Sequence, residues 1–238
     1  MEPRMNGSSL GPEPVYLPWN EPYRGRASLV SFDDAIRACM LANFEVAART
    51  TQIPLTDLQY AACQVIPQGI NLTLAIRALI RQGYLFGALV LVRPLLERVT
   101  TMAYLYQHPE SLEIWKAGWK RGKRPSFHQM LNCLNPLADS LVMRQMGERL
   151  HHIVHGDPDG SLWNLVVKPD GGMAFAAGQV TNHPELCDNI CSKTEYYLTL
   201  LHGLMAICFP DVPRADDIFD AYRRRHGSDD LPRDARTS

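Results

Sequence analysis

The chain has 238 residues, 46% apolar and 21% charged, with a formal net charge of −1. That length supports one sizeable domain with a real core. The near-zero charge excludes a globally basic nucleic-acid binder, although it leaves room for a local basic patch.

The first residues, "MEPRMNGSSLGPEPVYLPWNEPYRGR", lack a positive segment followed by an apolar one, so they do not read as a secretory signal. They read as a Pro/Gly-rich arm over 1–28, with aromatic anchors at Tyr16, Trp19 and Tyr23. The longest strongly apolar runs, 84–92 and 204–209, fall short of the roughly 20 residues of a membrane span. No membrane association is expected. The six cysteines (39, 63, 133, 187, 191, 208) are scattered among apolar neighbours, as reduced thiols of a cytoplasmic protein would be. His183, Cys187 and Cys191 repeat every four residues, a spacing open to zinc. Ile190, Thr194, Leu198 and Leu201 continue the stripe and favour core packing.

In chain order, Ser31 before "FDDAIRACMLANFEVAART" predicts an N-capped helix with Asp33 and Asp34 in its first turn. Ile36, Met40, Phe44 and Ala47 would form its apolar face. Thr56 caps the next helix, and Pro67 is expected to end it and start another that runs to Gly83. "YLFGALVLVRPLLERVTTMAYLYQ" is apolar on all sides and predicts a central helix, kinked or restarted near Pro94 and ended by His108-Pro109. "ESLEIWKAGWKRGKRP" reads as a short amphipathic helix entering a basic loop. Ser126 and Pro136 introduce two more helices, the second closed by Gly156. Two β-prone runs around Lys168-Pro169-Asp170-Gly171-Gly172 predict a hairpin near 162–177, and helix returns from Pro184 to about Phe209. A charged helix and a disordered tail follow over 213–238. The fold class is therefore mostly α: a single-domain helical bundle over 29–212 with a small β-hairpin insertion.

Three groups of residues have chemical potential. Arg93 and Glu97, four apart in the most apolar helix, are either a structural ion pair or the polar floor of a pocket. "GERLHHIVHGDPDG" places Arg149, His151, His152 and His155 around a helix end, with Asp157 just beyond. Glu148, His151 and His155 have spacing used by helical carboxylate–histidine metal sites, but such sites need a second copy from a facing helix. The sequence has only one Glu-x-x-His, so no metal or other cofactor is assigned. Without a metal, His155 as proton-transfer group and Arg149 as fixed cation suit attack by an RNA 2′-hydroxyl on its phosphate. The third group is Lys116, Lys120, Arg121, Lys123 and Arg124 beside Trp115, Trp119 and Phe127. That mixture fits single-stranded RNA or a merely solvated edge.

The stretch "AIRALIRQGYLFGALVLVRPLLERVTTMAYLYQHPE" with the later "LHHIVHGD" resembles a bacterial branch of helical proteins related to the HEPN superfamily, over roughly 71–157. The resemblance implies a helical bundle in which Arg93 and Glu97 organise a site. Its nuclease signature, an Arg followed four to six residues later by His, falls on Arg149 and His155. The usual polar residue after that Arg is here Leu150, and Arg144-Gln145 with His151 also satisfies the spacing. What the resemblance implies is a metal-independent endoribonuclease, a toxin or antiviral-defence effector. It would act as a homodimer through 137–155, with RNA as substrate and an antitoxin or defence protein as partner. The alternative is a non-catalytic helical module that binds a nucleotide, nucleic acid or protein.

Overall fold

The computed structural model describes residues 21–51, 53–119, 124–134, 140–155, 165–167, 172–175 and 184–212. The described residues are mostly helical. In chain order the helices are α1 (Ala27–Thr50), α2 (Asp57–Gln82), α3 (Leu85–Gln107), a 3-10 turn (Pro109–Ser111) leading into α4 (Leu112–Lys116), α5 (Phe127–Asn132), α6 (Ser140–His155) and α7 (Pro184–Cys208). Leu165–Val167 (β1) and Met173–Phe175 (β2) pair antiparallel, with Val166 opposite Ala174. The residues joining them lie outside the described set, as do Gly156, Asp157, His183 and the segment 213–238.

The centre is α3. Its side chains from Leu85 to Leu105 are largely buried, because α2, α5, α6 and α7 all pack on it. A helix apolar all round needs neighbours on all sides, and this one has them. One continuous cluster of buried residues runs from Tyr23 through α1, α2, α3 and α7 to Phe209. The cysteines are free thiols. Five are buried and Cys63 is half-buried, and the Cys187 and Cys191 sulfurs lie 4.0 Å apart within the core.

Local chemistry explains most boundaries. Thr56 and Ser126 each form a reciprocal capping box, with Gln59 and Gln129 respectively. Gly83 ends α2 in the left-handed region (φ +80°), which costs a residue without Cβ little. Three expectations need correction. Pro67 does not break α2, which runs through it unbroken. One lost backbone bond is outweighed by burial of Val65, Ile66 and Ile70 on the same turns. Gly69 lets α7 approach closely there, since a Cβ would meet a Leu201 methyl at 2.4 Å. Of the kink or restart expected at Pro94, the restart does not occur, since α3 is one helix with Pro94 inside it.

The third correction concerns α1, which starts at Ala27 rather than after Ser31. The Ser31 hydroxyl donates to Glu195 instead of capping, and Asp33 binds Arg77 of α2. The buried stripe is Leu29, Phe32, Ile36, Cys39, Ala42 and Val46, while Met40 and Phe44 are 46% and 70% exposed. The helix carries two competing apolar stripes, and contact with α2 and α7 selects one. The arm boundary at 28 moves as well: Tyr23 is in the core, and Glu21 is an ion-pair partner of Arg77. At its start α1 is further tied to α7, where Asp188 accepts from Arg26 and Ser28. By length and composition α2 is apolar enough to cross a membrane, unlike the shorter runs singled out above. In this structure it lies against α1, α3, α4 and α7.

Candidate functional site

Arg93 lies one turn before Glu97 on α3, and its side chain is only 10% exposed. Its Nε donates to Glu97 Oε1 at 3.3 Å, and Nη1 donates to the Gly147 carbonyl of α6 at 2.9 Å. The guanidinium also lies over the Phe127 ring of α5, 3.4 Å from its centroid. Burial pulls this guanidinium down from its ordinary range, and Glu97 opposes that. A Cβ at Gly147 would lie 3.0 Å from Phe127 and 3.4 Å from Arg93, so glycine leaves room for this tight contact. Arg93 is thus a clamp joining α3, α5 and α6. These contacts are those of a structural ion pair extended across three helices.

Arg93→Met is expected to cost about 1–3 kcal/mol, the usual penalty for leaving a buried acceptor unpaired. The loss should show as faster amide exchange confined mainly to α6. Uniform exchange rates across α6 in both proteins would contradict the clamp.

The clamp fixes which face of α6 meets solvent. Gly147 and Leu150 are buried and Ile153 is half-buried, whereas Gln145, Glu148, Arg149, His151, His152, Val154 and His155 are exposed. Leu150, standing where the resembled nuclease pattern has a polar residue, is a core contact that docks the helix. The imidazoles of His151 and His155 lie 4.2 Å apart between centroids, and those of His151 and His152 6.0 Å. Arg93 does not join them. It meets α6 at Gly147, two turns and about 12 Å of helix before His155.

A residue that sequence reasoning missed feels the charge of Arg149. Lys193 of α7 is half-buried; desolvation lowers its pKa, and the Arg149 charge lowers it further. Among the described residues no carboxylate pairs with either cation. Helical periodicity could not have found Lys193, because its relation to Arg149 joins residues far apart in the sequence.

The basic, aromatic stretch is mostly structural where it is described. Lys116 bonds Asp57 at 2.5 Å and Glu113 at 3.0 Å. Trp119, at φ +49°, is half-buried with its ring 6.2 Å from that of Tyr104. Phe127 is held under Arg93, and Arg124 is exposed. Lys120, Arg121 and Lys123 lie outside the described residues. Among those described, no group of three or more His, Cys, Asp or Glu side chains is arranged to hold a metal. No protein-family model matches the chain, and no characterised protein or solved structure matches it significantly.

Proposed function

We propose that this protein is a HEPN-like, metal-independent endoribonuclease whose working surface is the exposed face of α6. The observation that carries the reading is that Arg149 and His155 both stand exposed on the last two turns of α6, with the Lys193 charge near enough to act on that of Arg149. His155 of one copy takes the proton from a ribose 2′-hydroxyl as its oxygen attacks the adjacent phosphorus, and a protonated His155 of a second copy gives its proton to the 5′-oxygen as the phosphorus–oxygen bond to it breaks. Arg149, assisted by Lys193, stabilises the charge that grows on the phosphate oxygens. Two copies meeting along α6 would supply two such sets, one imidazole acting as base and the other as acid. On this reading the protein is a cytoplasmic toxin or defence effector, restrained by a partner protein. The antiparallel pairing of β1 with β2 supports reading 162–177 as a small β-hairpin insertion.

A second reading has one observation in its favour: the position after Arg149 is a buried Leu, not the polar residue of the nuclease pattern. A binding module would use Arg149 and Lys193 to hold a phosphate group without proton transfer. The deciding experiment is incubation of the purified full chain with mixed cellular RNA in excess EDTA, followed by analysis of the new ends. Cleavage leaving 2′,3′-cyclic phosphates is the expected result. Intact RNA in the presence of folded protein would overturn the nuclease reading in favour of the binding one.

A further inference from the structure

The face of α6 has a feature that this chemistry does not use. His151 and His155 stand one turn apart with ring centroids 4.2 Å apart and planes inclined by 47°. His152 is set differently, 6.0 Å from His151 and nearly edge-on at 73°. All three are exposed. Neutral imidazole is a good donor to borderline divalent ions, and a His pair at i and i+4 is the spacing by which a single helix chelates zinc. With metal–nitrogen bonds of about 2.0–2.1 Å, two rings on one tetrahedral ion have centroids about 5 Å apart. The observed pair needs side-chain movements of less than about 1 Å to reach that, which two exposed side chains make by small rotations.

We propose that His151 and His155 form a bidentate surface site for a divalent transition ion of the Zn²⁺, Cu²⁺ or Ni²⁺ class. One ring nitrogen comes from each residue and water fills the remaining positions. The ion stays accessible from solvent, so the site is an open chelate and not a closed structural centre. The inference stands on the ring geometry and does not depend on RNA cleavage. If His155 also moves protons, the bound ion occupies a lone pair it needs, and the same metals become inhibitors of the enzyme.

The test is calorimetric titration of the full chain with Zn²⁺ at about pH 7.5, above the unperturbed imidazole pKa, in a non-coordinating buffer and without RNA. Wild type should bind zinc, and His151→Ala and His155→Ala should each weaken binding at least about tenfold, the low end of what losing even an outer-shell partner costs. His152→Ala should leave the affinity within about twofold. Substoichiometric Cu²⁺ should broaden the ring signals of His151 and His155 before those of the other histidines. No zinc binding by wild type, wild-type affinity in either single variant, or an equal loss in His152→Ala would each overturn the site. Because the readout is binding alone, its failure leaves the nuclease reading untouched, and loss of cleavage leaves the metal result untouched.

Discussion

Arg77→Met is expected to lower the free energy of unfolding by about 3–5 kcal/mol, the cost of removing one partner from a buried ion pair. Arg77 joins α2 to the start of the fold. It pairs with Glu21 and with both oxygens of Asp33, at 2.5 Å from Nε and 2.9 Å from Nη2. Its side chain is 12% exposed and that of Glu21 6%. Desolvation disfavours the Arg77 charge, but the interactions with Asp33 and Glu21 outweigh it and hold the pKa above the ordinary arginine range. Methionine retains much of the stem's packing and strands the Glu21 carboxylate away from water. Asp33, more exposed, suffers less. The double variant Arg77→Met/Glu21→Gln should therefore recover part of the loss. Urea unfolding would measure both through the midpoint at constant slope. A single variant within about 1 kcal/mol of wild type, small even beside the modest cost of an ordinary unpaired buried group, would mean that Glu21 is not trapped.

The second large effect concerns activity. On the nuclease reading, His155→Ala should reduce RNA cleavage by about 10²–10⁴-fold, the usual contribution of a positioned general acid–base. Arg149→Ala should reduce it comparably, about 10²–10³-fold, through lost stabilisation of the phosphorane charge. Both side chains are exposed, so neither change should lower stability much. That separates them from Arg93→Met, whose effect on activity would follow the loosening of α6. Rates should be measured in EDTA, with the unfolding midpoint of each variant checked in parallel. Wild-type rates in His155→Ala would sink the assignment even if RNA were cut.

How much of this was legible beforehand varies with the kind of signal. The caps at Thr56 and Ser126 and the stop at Gly83 are local chemistry and could be read directly. The central position of α3 followed from its all-round apolarity. The partnership of Arg93 with Glu97 followed from four-residue spacing. Its further contacts with Gly147 and Phe127 did not, because they join helices far apart in the sequence. Read as composition, Trp119 and Lys116 fitted either an RNA surface or a solvated edge. Their contacts with Tyr104, Asp57 and Glu113 exist only in three dimensions.

By itself the sequence determined the mostly α class, the burial of most cysteines and most helix ends, since each rests on interactions within a few residues of chain. Tertiary structure alone decided which of two apolar stripes α1 buries, that α2 continues through Pro67, that Glu21 and Tyr23 belong to the fold, and that Lys193 feels the charge of Arg149. In each case the competing local options differ by only a few kcal/mol. Packing against another helix, which no single segment encodes, tips the balance.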